Sequence, residues 1–242
     1  MMCGRLPLGL AARPAEYLTR GVELRTGARR FADRSDAGRA LAELLGRYAG
    51  RDVVVLGLPR GGVPVAAEVA TALGATLDVL IVRKLGVPLH PELAMGAIAA
   101  VGDAIELVTN DLVLARVQVS DDDFDSVRRT ETAELRRRSV TYRGDRPAAQ
   151  VAGRVVIIVD DGLATGATMR AAVAAVHRRG PAKLVVAVPV GPADHGGPAL
   201  AGQVDEVVVA LSPRPFQAVR QGYRDFSETN DDEVLAALAR LR

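Results

Sequence analysis

The feature that most constrains this chain is a strand that ends in two carboxylates and leads into a helix. The strand, Val155–Val159, is entirely apolar and mostly β-branched, which is typical of a buried strand. Asp160 and Asp161 follow at once, then small and hydroxyl-bearing residues, and segment 169–179 has the composition of a helix. This order predicts an anion site, because the unpaired amides and the dipole at a helix start favour negative charge.

The loop between strand and helix offers groups that suit a phosphorylated sugar. Hydroxyl donors come from Thr165 and Thr168, and Gly166 allows the backbone to approach a phosphate closely. Asp160 and Asp161 can accept hydrogen bonds from a diol, so the combination suits a ribose 5-phosphate. The alternative is an ordinary α/β strand whose acidic end caps a helix or binds another phosphate. The predicted 5-phosphate loop consists of Gly162, Leu163, Ala164, Thr165, Gly166, Ala167 and Thr168.

Composition argues against several classes of protein. Of 242 residues, 49% are hydrophobic and only 3% aromatic, so the core must be largely aliphatic. Lys and Arg number 31 against 29 Asp and Glu, and this balance does not favour nucleic-acid binding. The one cysteine, Cys3, excludes an internal disulfide, which fits a reducing cytoplasm. No apolar run is long enough to span a membrane, and the first residues do not resemble a signal peptide.

Apolar runs alternate with helical segments along the chain. Strands are predicted at 53–59, 77–84, 155–159, 183–191 and 204–211. Helices are predicted before Gly50, at 64–73, 121–140 and 169–179 and near the C-terminus, and 97–102 and 104–110 are predicted to form a hairpin. The alternation indicates an α/β fold with a doubly wound, mainly parallel sheet and flanking helices. Ligands of such sheets bind beyond the carboxyl ends of the strands.

Two other strand ends carry groups that suit a diphosphate. After the first core strand, Arg60, Gly61 and Gly62 could direct a guanidinium and backbone amides at one anion, although paired glycines also form ordinary tight turns. Arg83 and Lys84 end the second predicted strand, and the alternative for them is a solvated surface pair. We expect these residues to lie near the two aspartates, because all follow strands of one sheet.

The aspartate loop resembles the phosphoribosyl diphosphate (PRPP) motif of type I phosphoribosyltransferases, an apolar strand followed by Asp-Asp-x-x-x-Thr-Gly-x-Thr. From about Phe31 onward, the chain resembles a group of bacterial phosphoribosyltransferase-domain proteins. The runs that carry this resemblance are GLPRGGVPVA, VRKLGVP, PELAMGAIA and VDDGLATGATM. It implies a PRPP donor with Mg²⁺ as cofactor and leaves the acceptor open.

The resemblance also implies a role for each strand end. Catalysis would fall to Asp160, Asp161, Lys84 and Arg60. Pyrophosphate would be bound by Arg60, Gly61, Gly62, Arg83 and Lys84, in a loop where this family often has a cis peptide. Segment 85–97 takes the place of the family's mobile catalytic loop, with His90 and Glu92 as its only ionisable residues. Mg²⁺ would be held through PRPP, with Asp160 and Asp161 as the candidate protein ligands.

The resemblance divides the chain into one domain and an extension. Residues 28–242 are expected to form a phosphoribosyltransferase-like domain, with 98–150 as a flap or insert and 212–242 as a C-terminal hood and helix. Residues 1–27 are interpreted as an extension, either flexible or the product of an over-long start. Three aromatic residues near the C-terminus could stack on a base or dock on the core, and docking is favoured: Phe216, Tyr223 and Phe226.

The sequence thus predicts a cytoplasmic transferase of nucleotide metabolism. It would move the 5-phosphoribosyl group of PRPP to a small nitrogenous acceptor and release pyrophosphate. Homodimers are common in the resembled family. The alternative is a non-catalytic PRPP-binding regulatory protein, which the fold and motif also permit.

Overall fold

The structure is a computed structural model that describes residues 18–23, 30–194, 200 and 202–241. Its strands are β1 (Leu18–Glu23), β2 (Val53–Gly57), β3 (Thr76–Val79), β4 (Ile81–Val87), β5 (His90–Val101), β6 (Ala104–Thr109), β7 (Val155–Val159), β8 (Lys183–Val190) and β9 (Glu206–Ser212). Its α-helices are α1 (Arg34–Leu44), α2 (Gly62–Leu73), α3 (Asp111–Leu114), α4 (Asp121–Arg143), α5 (Ala167–His177) and α6 (Asp231–Ala239). Short 3₁₀ helices lie at Gly46–Tyr48 and Val219–Gly222.

A six-stranded parallel sheet forms the centre of the molecule, in the order β1-β9-β8-β7-β2-β3. Helices α1 and α2 cover one face, where Val55 and Ile157 are buried, and α5 covers the other, where Val54 and Ile158 are buried. Both faces are apolar because both are covered, which explains the uninterrupted apolar runs of β2 and β7. The predicted doubly wound α/β class is confirmed.

A second, antiparallel sheet contains β4, β5 and β6 in that order. The prediction of one strand over 77–84 is therefore wrong. After Leu80, whose amide donates to the Gly57 carbonyl at 3.0 Å, the chain leaves the parallel sheet, and β4 starts the second sheet at Ile81. Because the apolar run continues through this point, hydrophobic periodicity could not locate the break.

Segment 85–97, predicted as a mobile loop, is instead mostly strand. It comprises the end of β4, a turn at Pro88 and Leu89, and the first part of β5. Leu85, Val87 and Met95 are buried in a cluster that includes residues of α4, so this segment contributes to a core. The predicted hairpin around Gly102 is confirmed as the β5–β6 pair.

The boundaries of the peripheral segments also emerge from the structure. Strand β1 lies within the predicted extension and pairs with β9, whereas residues 1–17 and 24–27 lie outside the described residues. The antiparallel sheet begins at Ile81, before the predicted insert at 98–150, and α4 follows it. Among the described helices, none is both long and apolar enough to cross a membrane.

Candidate active site

The loops after β2 and β7 meet because these strands are neighbours. Gly57 pairs with Val159 in the parallel ladder, and the Leu58 amide donates to the Val159 carbonyl at 2.9 Å. A Cβ atom on Gly61 would overlap the Asp161 carboxylate, and one on Gly62 would lie 2.7 Å from the Val159 carbonyl oxygen. Only glycine allows this approach. The peptide bond between Pro59 and Arg60 is cis, as the resemblance implied.

The two aspartates at the end of β7 are held differently. Arg34, at the start of α1, donates from Nε at 2.9 Å and from Nη2 at 2.8 Å to Oδ2 of Asp161. The Asp161 amide donates to Oδ1 of Asp160 at 2.9 Å. Among the described residues, no hydrogen-bond donor reaches Asp160 Oδ2 or Asp161 Oδ1. One oxygen of each carboxylate is therefore available to a ligand.

Burial and mutual repulsion govern the protonation of this pair. Burial and the neighbouring Asp161 carboxylate raise the pKa of Asp160 well above its usual value. Burial also raises the pKa of Asp161, although the Arg34 guanidinium opposes that shift. The site thus contains two acids in unlike environments, and Asp160 is the one that more readily keeps its proton. Strongly perturbed carboxyl groups beside a loop of exposed donors are typical of functional sites.

The predicted 5-phosphate loop leads directly into α5. Leu163 is buried and anchors the loop, since its amide donates to the Val190 carbonyl at 2.8 Å. Thr165 and Thr168 are exposed, and Gly166 adopts a φ of 70°, a left-handed conformation that favours glycine. No side chain caps the helix start, so its first amides face the loop and can donate to an anion.

The structure separates the three predicted pyrophosphate cations. Arg60 pairs with Glu228. Arg83 pairs with Glu131 of α4 at 2.6 Å. Lys84 is exposed and, by the alternation of side chains along β4, points to the opposite face from Arg83. That face also carries Val82, which packs against the core beneath α5. Lys84 therefore lies on the face of β4 that packs toward α5, whereas Arg83 lies on the face toward α4.

His90 and Glu92 lie near the tip of the β4–β5 hairpin. Both side chains are well exposed, with His90 Nδ1 3.5 Å from Glu92 Oε1. Leu89, in the turn, is 94% exposed. Their role as part of a lid stays a prediction.

The sequence analysis missed the residues behind the aspartates. Arg34 is one of them, and its guanidinium also lies 4.2 Å from the centre of the Phe226 ring. Tyr223 donates its hydroxyl to the Asp161 carbonyl at 2.6 Å, and burial raises the pKa of this tyrosine, which keeps it a donor. No local signal marks Arg34, since it lies 127 residues from Asp161 in the chain. Phe216, Tyr223 and Phe226 cluster with Phe31, which agrees with the favoured interpretation that they dock on the core.

The acids of the site suit a metal that arrives with its ligand. The described residues contain no group of three or more His, Cys, Asp or Glu side chains placed to hold a metal ion. The unbonded oxygens of Asp160 and Asp161 are nevertheless ligands that Mg²⁺ prefers. Asp160 and Asp161 are therefore the residues that would hold a Mg²⁺ ion in this site.

Comparison with known proteins agrees with this arrangement. A family model described as "Phosphoribosyl transferase domain" matches residues 32–213. The crystal structure of TT1426 from Thermus thermophilus has a TM-score of 0.75 and 44% identity to this chain, covering 88% of this chain and 99% of that one.

Two curated relatives come from Mycobacterium tuberculosis: Rv0571c of strain ATCC 25618 / H37Rv and MT0597 of strain CDC 1551 / Oshkosh. Each is provisionally named a phosphoribosyl transferase and is 51% identical over 210 residues. The match covers 87% of this chain but 46% of each relative, so this chain spans about half the length of those proteins.

Proposed function

The chain belongs to the phosphoribosyl transferase domain family, and we propose that it transfers the 5-phosphoribosyl group of PRPP to a small nitrogenous acceptor. The observation that carries this proposal is the contact between the loop containing Gly61 and Gly62 and the two aspartates after β7. This contact brings a glycine loop beside two carboxylates with unbonded oxygens, and the chain continues from these carboxylates into the start of α5. One PRPP molecule has a chemical partner for each of these three features.

Each group of residues would bind a different part of PRPP. The amides at 162–168 would hold the 5-phosphate, with hydroxyl donors from Thr165 and Thr168. Asp160 and Asp161 would accept hydrogen bonds from the ribose hydroxyls through their unbonded oxygens and stabilise positive charge on the sugar. Arg60, together with the amides of Gly61 and Gly62, would bind the diphosphate, and Lys84 would approach it from the face of β4 that it occupies.

The proposed reaction is a displacement at the anomeric carbon of the ribose. The bond to the diphosphate oxygen breaks, the nitrogen of the acceptor attacks from the opposite side, and pyrophosphate leaves with both bonding electrons. Mg²⁺, when bound with the diphosphate, supplies a Lewis acid that neutralises the leaving group. The carboxylates stabilise the developing positive charge on the sugar. Arg60 and the amides of Gly61 and Gly62 stabilise the negative charge on pyrophosphate.

A regulatory protein that binds PRPP without catalysis is the second candidate. The observation in its favour is the β4–β5 hairpin, where segment 85–97 contains no Lys or Arg and its exposed His90 lies near Glu92. A hairpin of this composition adds no permanent cation to the diphosphate. The PRPP-binding residues would serve both functions equally, so the acceptor reaction is what separates them.

The test is release of pyrophosphate from Mg·PRPP in the presence of purines, pyrimidines, nicotinate-like acids and simple amines. We expect release that depends on one acceptor class and is lost in the Asp160→Asn/Asp161→Asn variant. Circular dichroism of that variant verifies that it is folded. PRPP binding without acceptor-dependent release would favour the regulatory protein, and absence of PRPP binding would refute both candidates.

A further inference from the structure

The arginine of the proposed pyrophosphate loop already has an anionic partner within the chain. Arg60 forms an ion pair with Glu228, which lies 168 residues further along the sequence. The Glu228 side chain is 79% exposed, and that of Arg60 is 38% exposed. Among the described residues, Arg60 is the only side chain that hydrogen-bonds to Glu228. Burial therefore does not hold this carboxylate at the loop.

What holds Glu228 there is the backbone on either side of it. Arg34 donates from Nη1 to the Ser227 carbonyl at 2.6 Å, and its guanidinium stacks on the Phe226 ring. Two residues after Glu228, Asn230 caps α6: its side chain accepts from the Glu233 amide at 2.9 Å, and its amide donates to the Glu233 carboxylate at 2.8 Å. We call residues 225–228 the strap. Anchored on both sides, the strap presents one carboxylate to Arg60.

Carboxylate and phosphate oxygens compete for the same guanidinium donors. We infer that Glu228 is a specificity-determining residue that competes with the diphosphate of a ligand for Arg60. The inference rests on the proposed PRPP site. A ligand that uses Arg60 must displace Glu228, whereas a ligand bound only through the 162–168 loop does not. Glu228 therefore weakens the binding of PRPP and pyrophosphate selectively and leaves ribose 5-phosphate unaffected.

This competition has a consequence for turnover. After transfer, pyrophosphate must leave the loop, and a tethered carboxylate beside Arg60 can replace it as the partner of the guanidinium. Glu228 thus assists release of pyrophosphate at the expense of affinity for the donor. The tether makes the effect independent of protein concentration, since donor and acceptor of the ion pair belong to one chain.

The test compares Glu228→Gln with the unaltered full chain. Calorimetry with Mg²⁺ measures Kd for pyrophosphate, PRPP and ribose 5-phosphate. An exposed ion pair contributes at most about 1 kcal/mol, which corresponds to about fivefold, so we expect pyrophosphate and PRPP to bind about two- to fivefold more tightly. Ribose 5-phosphate should bind with unchanged Kd. Asp232→Asn is the matched control, because Asp232 is an exposed acid close in sequence to Glu228. Among the described residues, it has no hydrogen bond or ion pair to the loop that contains Arg60 or to the 162–168 loop. This variant should change none of the three constants.

A second pair of variants tests whether the effect passes through Arg60. In an Arg60→Gln background, adding Glu228→Gln should give no further gain in pyrophosphate affinity. The inference is overturned if Glu228→Gln leaves pyrophosphate affinity unchanged, if Asp232→Asn produces the same gain, or if ribose 5-phosphate gains equally. Failure of the proposed function has a different signature, which is that the unaltered chain binds neither PRPP nor pyrophosphate.

Discussion

Two buried arginine–aspartate pairs of similar exposure have different surroundings. At the carboxyl end of β7, Arg34 and Asp161 have side chains that are 13% and 18% exposed, and Arg143 of α4 and Asp78 of β3 are 12% and 8% exposed. Both oxygens of Asp78 accept hydrogen bonds, from Arg143 and from the amides of Val79 and Ala149. Within the described part of the chain, only one side-chain oxygen of Asp161 accepts hydrogen bonds.

The difference separates a structural pair from one that is prepared for a ligand. Asp78, whose two carboxylate oxygens both accept hydrogen bonds, joins α4 to the central sheet and has no oxygen left to bind a ligand. A largely buried carboxylate with a free oxygen, next to a second acid of raised pKa, lowers stability unless another molecule binds to that oxygen. Hydrogen-bond saturation thus distinguishes the two pairs where burial does not.

Replacing the arginine of each pair tests this distinction most directly. In Arg34→Met and in Arg143→Met we expect the free energy of unfolding to fall by about 3 kcal/mol, because each leaves a buried aspartate without its cation. The ligand response should differ. Arg34→Met should weaken PRPP binding at least about tenfold, since Asp161 loses both its orientation and the cation that opposes its raised pKa.

Arg143→Met should leave the Kd for PRPP within about twofold of the unaltered value, when measured where both variants are folded. Arg34→Lys serves as the conservative variant and should recover part of the lost affinity. Equal loss of PRPP binding in the two methionine variants would show that both pairs act only through stability.

The glycine contact sharpens the comparison with a smaller change. Gly61→Ala places a methyl group against the Asp161 carboxylate, so we expect about 2 kcal/mol of destabilisation and loss of measurable PRPP binding. Gly46→Ala is the control, because none of the described residues beyond its immediate surroundings in the chain comes within 4 Å of the added Cβ. Thermal unfolding and PRPP calorimetry measure both effects. Normal PRPP affinity in Gly61→Ala would contradict the close packing of the two loops.

The smallest change in the free energy of unfolding is expected for Asp160→Asn, and it is a gain. Because folding raises its pKa, the aspartate loses stabilising free energy as pH rises from its unfolded pKa through its folded pKa. Asp160→Asn cannot ionise and avoids that loss. We expect the variant to be more stable by about 1 kcal/mol at neutral pH, a rise of about 2–4 °C in Tm, while losing PRPP binding.

The gain in Asp160→Asn should shrink as pH falls toward about 4, where the unfolded aspartate is itself protonated. Unfolding at a series of pH values measures this trend. A gain that does not vary with pH, or a loss of stability at neutral pH, would contradict the raised pKa.

The parts that could be predicted from sequence are those whose signal is local. Asp160 and Asp161 follow a strand directly, and Gly61 and Gly62 follow its neighbour, so topology alone brought the two loops together. The break at Leu80 could not be predicted, because apolar residues continue across the change of sheet. Arg34 and Glu228 lay beyond prediction for another reason: each acts through a partner more than a hundred residues away, and a solitary charged residue is ordinary on a surface.

The reach of the C-terminal segment bears on how such a domain is delimited. The family model ends at residue 213, whereas Tyr223, which donates to the Asp161 carbonyl, and Glu228, which pairs with Arg60, lie beyond it. A fragment that ended at residue 213 would keep every motif residue but would lose the contacts that Tyr223 and Glu228 make with the site. Exchanging residues 223–228 between relatives would, for the same reason, change the ligand affinity of the site while every motif residue stayed the same.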